Sequence, residues 1–280
     1  MLVRTIPLAS SVAITAAPLT REGFAAFGDV LANPRPGLTA GEAIREKQTQ
    51  QQPLPCGGVP ANQGTAIQYR AIGSLRDLYG AAAPSRVASG PRVTMFACAA
   101  RALVSSPGPT GEEEVAGRGV EIAVLERHPF TSQTFVPLAG DDDDDDGASW
   151  RYLVVVAPTL PAAREDGGLP APPPGAMGGR PGPGPGLPDL RALRAFVATG
   201  RQAVTYAAGT WHAPMVALGP AGSAVDFVVV QFANDVPVED CQEVALEGGS
   251  GGGSGGGKGA RRVWVRVPER KPAGRALAKL

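Results

Sequence analysis

Seven short stretches of the chain either alternate apolar and polar residues or run apolar without a break, and Gly, Pro or Asp bounds them. They are "RVTMFACA" (92–99), "VEIAVLERH" (120–128), "SQTFVPL" (132–138), "WRYLVVVAP" (150–158), "QAVTY" (202–206), "WHAPMVAL" (211–218) and "VDFVVVQFA" (225–233). β-Branched and aromatic residues in this pattern predict strands. The opening "MLVRTIPLASSVAITAAPL" is mildly apolar but broken by Pro7, Ser and Thr, which reads as a lead-in strand rather than a leader peptide. Two stretches carry a helical signal. Thr20 in an N-cap position, Phe24 and Phe27 three apart and Gly28 as a stop predict a short helix. In "PDLRALRAFVATG", Asp189 as a cap, one stripe of Leu190, Leu193, Phe196 and Val197, and Gly200 predict a second. The expected fold is all-β with two short helices, an antiparallel sandwich or barrel.

Composition narrows the partners. Lys and Arg total 26, as do Asp and Glu, so no long-range field favours nucleic acid or an anionic membrane. A small molecule or another protein fits better. Hydrophobic content of 43% supports a core, and no apolar run approaches the ~18 residues of a membrane span. Cys56, Cys98 and Cys241 form no C-x-x-C pair, which argues against a disulfide framework or a structural zinc site. Gly and Pro concentrate in Ala163–Pro188 and Gly248–Gly259, and Asp141–Asp146 is an unbroken acidic run. Such segments bury too little apolar area to offset the entropy of ordering. The expectation is therefore one domain over 1–246, disordered insertions near 139–148 and 163–188 that folding can spare, and a Gly-rich linker and tail over 247–280.

The chain has two histidines, His128 and His212. Strand parity puts Ile122, Val124, Glu126 and His128 on one face, and His212, Pro214, Val216 and Leu218 on one face of another strand. Gln133 likewise begins a face shared with Phe135. Polar groups leading otherwise apolar faces suit the mouth of a barrel. A single such residue is more often a strand end in solvent, but three together, including both histidines, point to one site. The sequence has no G-x-S-x-G, P-loop or G-x-G-x-x-G in a fitting context.

The words E-R-H-P (Glu126–Pro129), L-R-A-F (Leu193–Phe196), W-H-x-P (Trp211–Pro214) and D-C-x-E (Asp240–Glu243), in this order, resemble the ureidoglycolate lyase family, as do "LTREGFAAFGDVL" and "ANQGTA" near the start. The resemblance covers most of residues 12–246 apart from the insertions, and the ending and the added loops look more like the fungal branch than the compact bacterial one. It implies a cupin-like β-barrel or jelly roll, commonly a homodimer, and cleavage of ureidoglycolate to glyoxylate and urea in allantoin breakdown. Some bacterial members are described as nickel-dependent, so a divalent metal, nickel or manganese, on His128 and His212 is an open expectation. Bacterial members often carry further histidines beside Tyr206 and His212; here those positions are Ala207 and Ala213.

Ureidoglycolate bears a carboxylate, a hydroxyl and a ureido group on one carbon. C–N cleavage needs a base for the hydroxyl proton and an acid for the departing nitrogen. His128, His212 and Glu126 are the expected catalytic groups, and Gln133, Asn62 and Tyr206 the expected substrate contacts. Arg127 faces away from His128, which suggests a structural role, and Arg92 and Arg101 have no assigned place. The competing reading is a non-catalytic cupin-like protein that binds a small acid or serves in assembly. Ala278-Lys279-Leu280 is a variant of the S-K-L peroxisomal address, with a cytoplasmic location as the alternative.

Overall fold

The computed structural model describes residues 1–50, 53–105, 117–138, 151–163, 168–175, 184–248 and 261–269. The Asp141–Asp146 run and Ala278–Leu280 lie outside them. The architecture is mostly β. A central eight-stranded sheet runs Leu2–Pro7, Gln242–Glu247, Val124–Arg127, Trp211–His212, Arg151–Ala157, Arg194–Thr199 and Ala17–Pro18, with Val216–Leu218 also paired to Arg151–Ala157. A five-stranded sheet (Gly28–Leu31, Ala203–Tyr206, Gln133–Pro137, Ala224–Ala233, Gly90–Ala99) and a four-stranded one (Val12–Thr15, Val263–Arg266, Arg118–Ile122, Val104–Ser105) complete the main body. Most pairings are antiparallel, but Leu2–Pro7, Ala17–Pro18 and Val12–Thr15 each join a neighbour in parallel.

From Tyr152 on, the strand Arg151–Ala157 is almost wholly apolar because both its faces are buried. Leu153, Val155 and Ala157 belong to one core, with Val120, Ile122, Val263 and Val265 of the four-stranded sheet. Tyr152, Val154 and Val156 belong to the other, with Val30, Phe135, Val204, Phe227 and Val229 of the five-stranded sheet. The second core gives the site its floor.

The same two-sided burial corrects the second expected helix. Asp189 does accept from the Arg191 amide (3.0 Å), but the helical piece is a single 3-10 turn, Leu190–Ala192. Arg194–Thr199 is then a strand paired over six positions with Arg151–Val156. Leu193 and Ala195 face one core, Phe196 and Ala198 the other, so the apolar stripe reflects two buried faces rather than one helical one. The first helix is as expected: Arg21–Phe24, with Thr20 Oγ1 accepting from the Gly23 amide at 3.0 Å. An eleven-residue helix, Ala40–Gln50, was not foreseen. Its start is a capping box, in which the Glu42 carboxylate accepts from the Thr39 amide (2.8 Å) and Thr39 Oγ1 from the Glu42 amide (3.3 Å).

Two boundaries also change. Val263–Arg266, in the segment expected to be tail, is a strand between Val12–Thr15 and Arg118–Ile122, and Val263, Trp264, Val265 and Val267 are buried. Parts of the 163–188 insertion are packed rather than loose: the carbonyl oxygens of Gly184, Pro185 and Gly186 accept from Arg127.

Candidate active site

Four strands converge where the central and five-stranded sheets meet. Glu126 lies opposite His212 in one antiparallel pair, and Gln133 lies opposite Tyr206 in another. His128 follows the first strand immediately. The structure thus brings both histidines, Glu126, Gln133 and Tyr206 together. The ring centroids of His128 and His212 are 5.6 Å apart, and Tyr206 stacks on His212 at 3.9 Å. Asn62 is instead exposed, on a turn between Val59–Ala61 and Ala66–Gln68 where its carbonyl accepts from Thr65. It stays outside the buried cluster.

The expected apolar faces do not exist as drawn. The chain leaves the strand conformation at Ala123, so Ile122 and Glu126 belong to different sheets. After His212 the strand also stops, and Val216 and Leu218 pack on the Trp211 side. The histidines meet through cross-strand pairing, not through two continuous faces.

Each imidazole is oriented by the backbone. His128 Nδ1 is 2.6 Å from the Asp240 carbonyl oxygen, and His212 Nδ1 is 2.9 Å from that of Thr210. A carbonyl only accepts, so both Nδ1 atoms carry protons and each Nε2 is left for chemistry. Among the described residues, the buried His128 Nε2 has no hydrogen-bond partner, nor has the Tyr206 hydroxyl. His212 Nε2 faces Gln133 Oε1 (3.1 Å) and Glu126 Oε1 (3.4 Å). Two oxygens share that position only with a proton, or a cation, between them.

Burial, with the charge of His212 nearby, pulls His128 down to about 4. Its ring is therefore neutral at pH 7. Burial would raise the Glu126 carboxyl, but the hydrogen bond and charge of His212 and the charge of His128 outweigh it and hold the group at about 2. Burial pushes the Tyr206 hydroxyl well above its ordinary range, which keeps it a donor. The Cys241 thiol, 3.9 Å from Glu126 Oε2, is raised to about 12 by burial and then by Glu126, so it is no nucleophile at neutral pH.

The donor set also fits a divalent cation. One ligand atom each from Glu126, His128 and His212 lie within 4.8 Å of one another. Histidines that hold metals characteristically donate the other ring N–H to a carbonyl or carboxylate, which is what both do here.

Several contributors were not among the expected site residues. Asp240 acts through its carbonyl, and its carboxylate accepts from Tyr79 (2.6 Å) and from the Asn234 amide (2.9 Å). Gln231 Oε1 accepts from Gln133 Nε2 at 2.7 Å and so turns the Gln133 oxygen toward His212. Arg92 pairs with Asp235, and Arg101 donates to the Glu121 carbonyl. Ala207 and Ala213 stand where bacterial members often carry histidines. Ala213 belongs to the core on the Trp211 side of the central sheet. Ala207 lines a recess with Thr205 and Ser132.

A β-rich protein that gathers two backbone-oriented, buried imidazoles and a carboxylate into one cluster carries the groups of an enzyme's active centre. Residues 11–250 match the Ureidoglycolate lyase family, and the chain belongs to that family. Similar curated proteins are the ureidoglycolate lyase of Schizosaccharomyces pombe (32% identical, covering 84% of this chain and 92% of that one) and that of Saccharomyces cerevisiae (31%, 83% and 93%). The ureidoglycolate lyase of Burkholderia cepacia is 31% identical over 82% of this chain and 84% of its own.

Proposed function

We infer that the chain is a ureidoglycolate lyase, a carbon–nitrogen lyase releasing urea and glyoxylate in allantoin degradation. Within that activity the observation that carries the chemistry is His128: neutral, with a bare Nε2 facing the site. His128 Nε2 takes the substrate hydroxyl proton. As the C=O bond forms, the C–N bond breaks, and the urea nitrogen receives a proton from His212 Nε2, which Glu126 steadies. The Tyr206 hydroxyl donates to a substrate oxygen, and the Gln133 amide serves the ureido group.

A second reading follows from the paired Nδ1–carbonyl bonds. Glu126, His128 and His212 would hold a divalent ion such as nickel or manganese. When bound it would act as a Lewis acid on the substrate oxygens, and the three residues would then serve as ligands.

A homodimer is supported by the strand Gly90–Ala99, outermost in its sheet among the described strands, whose faces expose Val93 (71%), Met95 and Phe96. A peroxisomal location is supported by Ala278-Lys279-Leu280; a fluorescent fusion of the last twelve residues tests it, and a diffuse signal would reject it. The activity is tested by urea release from racemic ureidoglycolate above the spontaneous rate, with and without Ni²⁺ or Mn²⁺. No excess under either condition would defeat the lyase reading.

A further inference from the structure

Arg127 is a fully buried charge outside the cluster of reacting groups, and it sits in the chain between two of them, Glu126 and His128. Its guanidinium is caged mostly by backbone. Nη1 donates to the Gly186 carbonyl (3.0 Å) and more weakly to Gly184 (3.4 Å), Nη2 to Pro185 (3.1 Å), and Nε to Gln242 Oε1 (2.9 Å). The fork also lies 4.6 Å over the Trp211 ring. Trp211 precedes His212, and its Nε1 donates to the same Gly186 oxygen at 3.1 Å. Gln242, two residues beyond the Asp240 that orients His128, donates to Pro170 (2.8 Å) and Val238 (3.0 Å). One knot therefore grips the sequence neighbours of Glu126, His128 and His212, from the side opposite the reacting atoms.

Burying a guanidinium is a poor route to stability, because a hydrophobic residue of similar volume commonly does as well or better. What a planar fork with several fixed acceptors provides is direction. Successive strand residues point to opposite faces, so fixing residue 127 on one face fixes the aim of Glu126 on the other. The shared Gly186 oxygen ties that register to His212.

We propose that Arg127, clamped by Gly184–Gly186, is a positioning residue for the lyase reaction, setting the spacing of Glu126, His128 and His212; this rests on those three being the reacting groups. A misplacement of about 1 Å can cost up to ~10²-fold in rate. The clamp can be disturbed from either side. Arg127→Met and Arg127→Lys remove the fork. Gly186→Ala leaves every donor in place, but its Cβ would meet the Leu160 carbonyl oxygen at 2.2 Å and so must shift the clamp.

The test compares these three variants and His128→Ala by urea release, thermal melting and ¹⁵N-histidine NMR of the full-length protein. With two histidines in the chain, each imidazole is separately visible. The expected result for the clamp variants is a kcat loss of about tenfold or more with KM little changed. Both imidazole spectra should shift while melting stays cooperative, and Arg127→Lys should recover little of the loss. The proposal is overturned if the clamp variants keep full kcat with unmoved imidazole signals while His128→Ala is inactive. It is equally overturned if kcat falls only in step with the folded fraction. If His128→Ala retains full turnover, the site assignment itself fails and takes the positioning role with it.

Discussion

Glu126 and His212 stand directly opposite each other on neighbouring antiparallel strands, with Oε1 and Nε2 3.4 Å apart. The pair forms because the backbone ladder sets its register, so it does not depend on the conformation of a loop. Glu126→Gln keeps the shape but removes the charge that steadies His212. Its kcat should fall ~10-fold or more, and His128→Ala and His212→Ala should each lose ~10²–10⁴. Steady-state urea release, alongside circular dichroism to establish folding, checks all three.

Acidification should act on this cluster in two windows. An unfolded chain takes up a proton at His128 near pH 6.5, whereas the folded one resists until about 4. The unfolded state thus binds more protons in that interval, and stability falls as pH drops through it. Glu126 acts in the same direction lower down: its folded value of about 2 lies below the ordinary 4.5, so its contribution is lost between those values. Calorimetric melting should show a steady decline in Tm below pH 6.5. His128→Phe should flatten the upper part of that decline; an unchanged slope would contradict the buried neutral imidazole.

The metal reading makes a separable claim. If Glu126, His128 and His212 hold an ion, protein purified without chelator should contain about one equivalent of metal by elemental analysis, and His212→Ala should lose it. Stripping the wild type should then lower both Tm and turnover, and Ni²⁺ or Mn²⁺ should restore them. Full activity in metal-free protein would leave His128 as the proton acceptor.

Strand Val263–Arg266 should be indispensable, contrary to its reading as tail. Trp264 is 5% exposed, and Trp264→Ala should cost ~3–5 kcal/mol. Truncation after Gly248 should bare Val120 and Ile122, which pack in the same core as Val263 and Val265. A denaturant titration measures the first, and soluble yield the second.

The proposed dimer should depend on the edge strand Gly90–Ala99. Val93→Glu together with Met95→Lys should lower the molecular mass found by light scattering without lowering Tm, because neither side chain lies in the monomer's core. An unchanged mass would place the interface elsewhere or remove it.

The strands were legible because their β-branched runs are long and cleanly bounded, and the catalytic candidates because the chain spends its two histidines inside distinctive words. The rest was hidden for identifiable reasons. Leu193–Ala198 alternates between two cores, which leaves an apolar run indistinguishable from a helical stripe. Ala40–Gln50 offers a capping box but little apolar periodicity. Val263–Arg266 is short and follows a Gly/Ser tract that suggests the domain is over. Asp240, Thr210 and Gly186 contribute carbonyl oxygens, which every residue has, so no residue type could mark them. Glu126 and His128 do fall in one cluster, but the apolar face that strand parity implies beneath them ends at Ala123, where the chain changes sheets.

The parallel pairings of the N-terminal strands order events during synthesis. Val12–Thr15 finds its partner in Val263–Arg266, and Leu2–Pro7 in Gln242–Glu247. At ~5–20 residues per second, the earliest strands leave the ribosome roughly 12–50 s before those partners exist. Until then, among the described strands, Val12–Thr15 has no neighbour in its sheet and Arg118–Ile122 has Val104–Ser105 alone. A ribosome that stalls inside the Gly/Ser tract therefore holds a nascent chain with open β-edges and uncovered apolar faces, the state in which chaperone capture competes with aggregation.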